Sequence, residues 1–179
     1  MNKIILVSLI TLTATFEAAS ASGNKAYITT SSEYLNDSTR EAELDRFWRE
    51  VSRTVREGDF EGYKATYHED AVVVFTTSEN KASKSISTAL ADWKHDFTDV
   101  QNGKRTNSVE FRFSQRIGSE TSAHETGIFH YTSVDSDGKS VADAYVHFEA
   151  LLVKPDGKWL MVMEYQKSKA TRKEWDSLN

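Results

Sequence analysis

The fold is decided by four segments in the C-terminal half: SVEFRFSQRI (Ser108–Ile117), AHETGIFHYTS (Ala123–Ser133), VADAYVHFEALLVK (Val141–Lys154) and WLMVMEYQKS (Trp159–Ser168). In each, apolar residues recur with a period of two, the repeat of a half-buried strand. Turn-forming clusters separate them at Gly118-Ser119, Asp135-Ser136-Asp137-Gly138 and Pro155-Asp156-Gly157. Strands of this kind joined by short turns predict an antiparallel meander.

Upstream the period becomes helical. Leu44, Phe47, Trp48, Val51 and Val55 share one face of a helix that Gly58 ends, and Ser38-Thr39-Arg40-Glu41 has the form of a capping box at its start. Asp59 can cap a short second helix carrying Phe60, Tyr63 and Tyr67. Ile86, Leu90, Trp93 and Phe97 mark a third over about 83–97. Between these last two, Ala71–Phe75 reads as a buried strand entered through His68-Glu69-Asp70. Helices first and long strands afterwards predict an α+β domain, with three N-terminal helices packed on one face of a strongly curved, mainly antiparallel sheet.

The chain has 179 residues, no cysteine and a formal net charge of −5. Zero cysteines exclude disulfides, thiolate nucleophiles and thiolate metal sites. The acidic balance, without any long Lys/Arg run, argues against a nucleic-acid partner. Lys3, the apolar run Ile4–Phe16 and Ala19-Ser20-Ala21 have the pattern of a secretory signal peptide over residues 1–21. The run is short for a bilayer span, so an uncleaved anchor is the weaker alternative. Residues 22–37 are polar and read as a flexible leader, residues 38–170 as the domain and residues 171–179 as a C-terminal tail. A periplasmic or secreted protein, free of the membrane once cleaved, is the expectation.

Taken in order, Phe47-Trp48, Val55-Arg56-Glu57-Gly58-Asp59-Phe60-Glu61-Gly62, Tyr67-His68-Glu69-Asp70-Ala71-Val72-Val73-Val74, Glu125-Thr126-Gly127 and Leu152-Val153-Lys154-Pro155-Asp156-Gly157-Lys158-Trp159-Leu160-Met161-Val162 resemble the SnoaL-like and DUF4440 branch of the NTF2-like (cystatin-like) superfamily. The resemblance implies a cone of helices across a curved sheet, a pocket between them, and a homodimer formed through the sheet. The chain is also similar to the association domain of calcium/calmodulin-dependent kinases. It departs from the His-rich end of that domain's last strand, having Glu164-Tyr165-Gln166-Lys167-Ser168 there.

A tight hairpin at Asp135–Gly138 predicts Glu125 opposite Phe148 and Phe129 opposite Ala144. The Pro155-Asp156-Gly157 turn predicts Met163 beside Ala150 and Tyr165 beside Phe148. One face then carries Phe129, Val146, Phe148, Leu152, Trp159, Met161, Met163 and Tyr165, with Glu125 and Tyr165 its polar exceptions. Glu125 is a candidate base or ligand-orienting carboxylate and Tyr165 a candidate donor, as in a ketosteroid isomerase-like, dehydratase-like or cyclase-like site. The alternative is a carboxylate bonded to a neighbouring Tyr, Trp or Arg112 to complete the core. Tyr63, Tyr67, His68, Trp93, Phe129, Phe148 and Met163 are the candidate ligand contacts. The other face would hold His124 with Glu149 and His130 with Asp143, a pattern that suits a solvated or dimer-facing sheet better than a metal. No nucleotide-loop, hydrolase-elbow or zincin motif occurs, so no cofactor or metal is expected. The leading expectation is a homodimer that holds a small, largely apolar molecule. A cofactor-independent isomerase or lyase and an oligomerisation module without a catalytic role are the alternatives.

Overall fold

The computed structural model describes residues 25–178, with side chains from residue 37 onward; the expected signal peptide lies outside the described residues. The elements are α1 (Lys25–Glu57), α2 (Phe60–Lys64), β1 (Tyr67–Phe75), β2 (Ala82–Ser85), α3 (Ile86–Gln101), β3 (Arg105–Gly118), β4 (Ser122–Asp135), β5 (Ser140–Val153), β6 (Leu160–Lys169) and α4 (Arg172–Asp176). The six strands form one mixed sheet in the order β2-β1-β6-β5-β4-β3, antiparallel except where β1 runs parallel to β6. The expected α+β class and meander are present.

Several boundaries differ from expectation. Helix α1 begins at Lys25, so Ser38 lies within it and the segment read as a flexible leader is helical from Lys25 on. Tyr67, expected on the second helix, opens β1, and strand β2 takes residues 83–85 from the expected start of the third helix. Its sequence, Ala-Ser-Lys-Ser, carries no apolar alternation because it is an edge strand paired only with β1. The breaks between helices behave as read. Gly58 takes φ of 67°, and a Cβ there would sit 2.8 Å from the Phe97 carbonyl oxygen, so both conformation and space require glycine. Asp59 then caps α2 by accepting from Gly62 N at 2.9 Å.

The core lies between the inner face of the sheet and α1 and α3. Leu44, Trp48 and Val51 from α1, and Ile86 and Leu90 from α3, pack on Val73, Phe148, Leu152 and Met161 from the strands. Trp48 anchors the aromatic part, with ring centroids 4.5 Å from Phe111 and 5.6 Å from Phe148. The tail is folded back rather than free. A capping box between Thr171 and Glu174 starts α4, and Trp175, 5% exposed, lies over the outer face of the sheet.

The strand registers decide which side chains reach the core. In β4 and β5 the observed pairs are Glu125 with Ala150, Gly127 with Phe148 and Phe129 with Val146. This is a two-residue displacement from the predicted pairing, and an even displacement leaves every side chain on its expected face. Between β5 and β6 the displacement is odd. Leu152 pairs with Met161 but Leu151 pairs with Met163, leaving Val162 as a bulge. Beyond the bulge Glu164 and Gln166 turn inward, and Met163 and Tyr165, expected inside, turn outward.

Candidate functional site

A cavity of about 380 Å3 lies between the helices and the inner face of the sheet. Its walls are mostly aromatic: Trp48 from α1, Tyr63 from α2, Trp93 and Phe97 from α3, and Phe111, Phe129 and Phe148 from the sheet. Tyr63 is edge-on to Tyr67 at 5.5 Å and to Trp93 at 5.9 Å, which fixes the wall nearest β1. Of the candidate ligand contacts, Tyr63, Tyr67, Trp93, Phe129 and Phe148 line the cavity.

The remaining candidates lie elsewhere. His68 sits in the irregular start of β1, where its Nδ1 accepts from Asp70 N at 3.2 Å. Met163 and Tyr165 face outward beyond the Val162 bulge, Tyr165 pairing with Val74 and Glu149. Glu125 faces inward and is fully buried, but it is not on the cavity wall. Its carboxylate accepts from the Trp48 indole N–H and from Arg116 Nε at 2.7 Å. A second Arg116 nitrogen reaches Asp45 at 2.6 Å, so Glu125 belongs to a network tying α1 to β3 and β4. Of the partners expected for Glu125, a Trp is present as Trp48, whereas Arg112 points to the other face and stacks on Trp175 at 4.3 Å. The exchange follows from the bulge at Ser114, where β3 slips by one residue against β4. Glu125 and Tyr165 therefore lie on opposite faces of the sheet.

The carboxylate that β6 brings to the cavity wall is Glu164. It accepts from Tyr67 Oη and, at 2.8 Å, from Gln166 Nε2. Tyr63 Oη lies 3.0 Å from Tyr67 Oη, so a hydroxyl relay runs Tyr63, Tyr67, Glu164 when each phenol donates toward the carboxylate. Burial pushes the Glu164 carboxyl up, and the bonds from Tyr67 and Gln166 pull it part of the way back. Glu164 keeps some accessible surface, so its burial is enclosure within the cavity rather than protein contact on every side. Burial, then the Glu164 charge, raises Tyr63 and Tyr67 well above the usual phenol range, and both remain donors. Further polar residues, among them Asp96, Asn107 and Tyr131, line the cavity nearer the start of β3. Asp96 accepts from Arg105 at 2.8 Å, whereas Asn107, 4% exposed, has an Oδ1 with no hydrogen-bond partner.

Glu164, Gln166, Asn107 and Asp96 were not legible as site residues. Alternation past Met161 places Glu164 and Gln166 on the wrong face, and no glycine or proline marks Val162 as a bulge. Asn107 carried one usable signal, an uncharged polar residue at the mouth of a strand. Chemically, the arrangement can hold an apolar body against aromatic walls and exchange a proton or hydrogen bond at Glu164. Among the described residues no group of three or more His, Cys, Asp or Glu is placed to hold a metal ion.

A helix-covered mixed sheet with an aromatic cavity and few polar groups defines an NTF2-like cone. More narrowly, the chain belongs to the calcium/calmodulin dependent protein kinase II association domain family, whose pattern matches residues 40–171. The match falls on the second of the two resemblances, despite the departure at Glu164–Ser168. Solved structures agree on the fold. A conserved protein from Planctomyces limnophilus superposes with a TM-score of 0.60 at 14% identity, over 74% of this chain and 98% of that one. An NTF-2 like protein of unknown function from Shewanella oneidensis gives 0.56 at 14% identity, over 72% and 99%. ActVI-ORFA from Streptomyces coelicolor gives 0.56 at 21% identity, over 71% and 95%. Among proteins of curated function, none matches this chain.

Proposed function

We propose that this protein is an exported NTF2-like domain that holds a small, largely apolar molecule in its cavity and works as a homodimer. The observation that carries the reading is the cavity itself: about 380 Å3, walled by aromatic rings, with a few polar groups at fixed positions. Many apolar walls and few polar anchors are the usual composition of a small-molecule site. The dimer is supported by a row across the outer face, where Val72, Met163, Leu151, His124 and Ile117 are successive neighbours on five strands. Val72, Leu151 and Ile117 are 38%, 39% and 51% exposed, an apolar row interrupted by His124 that a second copy would cover.

Native mass spectrometry of the Ser22–Asn179 protein, set against its denatured mass, tests both parts. A dimer with extra mass that is lost on denaturation is the expected result. A bare monomer from freshly purified protein, stable at high concentration, would overturn the reading. Recovery of a mature chain beginning at Ser22 from cell envelopes or medium tests export.

A catalytic reading has one specific observation in its favour. Glu164 is a raised carboxyl at the end of a hydroxyl relay, the equipment for moving a proton on a bound carbonyl compound. It transfers the isomerase or lyase alternative from Glu125 and Tyr165 to Glu164 and Tyr67. In this reading Glu164→Gln abolishes turnover and leaves the fold intact.

A further inference from the structure

The charged groups of the cavity lining have one sign. Its lining includes two carboxyl groups, Glu164 and Asp96, and no lysine, arginine or histidine. Asp96 is already matched by Arg105, which is not itself a lining residue. Glu164 is not matched: its hydrogen-bond partners are the neutral Tyr67 hydroxyl and Gln166 amide. Both phenols can spend their protons along the relay toward Glu164, so this end offers lone pairs to a ligand. At the start of β3, the buried Asn107 Oδ1 is an acceptor without a donor. An enclosed carboxylate lacking a counter-ion and a buried acceptor lacking a partner are each costly to maintain. A ligand that brings positive charge and N–H groups relieves both.

The walls fit the same chemistry. The Tyr63 ring centroid lies 5.5 Å from that of Tyr67, the tyrosine bonded to Glu164, and 5.9 Å from that of Trp93. Aromatic rings beside a carboxylate attract an ammonium through their quadrupoles as well as by direct charge. An anion, in contrast, would enter a chamber with no cation to receive it.

We propose that the cavity takes a small organic cation, an ammonium carried on an aromatic or aliphatic body, with its N–H groups received by Glu164. A longer ligand with a second donor at its far end reaches Asn107. This rests on the reading that the cavity binds a small molecule, and it names the class.

Calorimetric titration of the Ser22–Asn179 protein with three probes of similar shape tests it: 2-phenylethylammonium, 2-phenylethanol and phenylacetate. The ammonium should bind at least tenfold more tightly than the alcohol, and phenylacetate more weakly than either. Glu164→Gln should remove most of the preference for the ammonium over the alcohol. The comparison within the wild-type chain stands even where that variant fails to fold. Equal or tighter binding of the alcohol or phenylacetate would overturn the cation assignment and leave the small-molecule reading in place. Absence of binding by all three would also overturn it, and the retained-mass experiment would then decide the small-molecule reading separately.

Discussion

Glu125 and Glu164 flank the same residue, Ala150, on its two neighbouring strands, both pointing to the inner face, yet only Glu125 meets a guanidinium. Two carboxylates one strand apart on either side of β5 thus have opposite environments. Glu125 is locked between Trp48 and Arg116, and Glu164 opens into the cavity with neutral partners.

The first consequence is a pH dependence of stability. The Glu164 carboxyl is raised in the folded protein, chiefly by burial. Its contribution is therefore fully present below the unfolded carboxyl range and is lost as pH rises through the folded value. Thermal melts of wild type should fall from about pH 4.5 upward more steeply than those of Glu164→Gln, the unfolded value being the ordinary glutamate one. At neutral pH the variant should melt at or above wild type, by about 2–4 °C for each kcal/mol recovered. A variant with the same pH slope as wild type would contradict the assignment.

Glu125 should behave in the opposite way. Removing one partner of a buried ion pair typically costs about 3–5 kcal/mol because the other charge is left uncompensated. For Glu125→Ala, Arg116 keeps Asp45 at 2.6 Å, which places the loss toward the lower end, while the Trp48 indole N–H loses its acceptor. Urea unfolding should show this loss at pH 7. Probe binding to folded Glu125→Ala should stay within about threefold of wild type, a difference under about 1 kcal/mol. A large loss of affinity with unchanged stability would instead return Glu125 to the site.

The contrast between these two residues also shows what a single sequence makes legible. Period-two alternation places Glu125 inside, and a wrong pairing by two residues does no harm because parity decides the face. One extra residue at Val162 reverses parity, and it does so in a run of methionines and valine where every residue is equally at home on either face. The aromatic wall was readable because Tyr63, Trp93 and Phe97 repeat at helical spacing. Glu164 and Gln166 of the polar lining were not, because both lie beyond the Val162 bulge, and Arg116, the partner of Glu125, was hidden in the same way beyond Ser114. The small edge strand β2 was hidden for a different reason: its pairing is made by backbone groups, and its sequence, Ala-Ser-Lys-Ser, carries no apolar alternation.

The outer strip offers a direct test of assembly. Leu151 lies mid-row, paired with His124 on one side and Met163 on the other, and is 39% exposed. Leu151→Asp places a charge at the centre of the strip, with little effect expected on a monomer because the position is already open to water. Light scattering should show the mass falling by half, with melting otherwise within a few degrees. An unchanged mass would put the interface elsewhere.

Trp175 holds α4 to the other end of that face. Arg112 lies over its ring at 4.3 Å and donates to its carbonyl at 2.9 Å, while His130 and Tyr145, stacked on each other at 4.0 Å, sit beside the indole. A five-residue helix cannot persist without such an anchor, since isolated helices this short are unstable in water. Trp175→Ala should therefore release α4 as a unit rather than weaken the whole domain. Its cost to global unfolding should fall well below the about 3–5 kcal/mol of a core Trp→Ala change. Hydrogen exchange is the discriminating measurement: amides of residues 175–178 should lose protection, and those of β1 and β6 should keep theirs. The released helix would also uncover Ile128, now 2% exposed, so the variant should show increased self-association at high concentration. Global loss of protection across the sheet would mean instead that α4 is an integral part of the core.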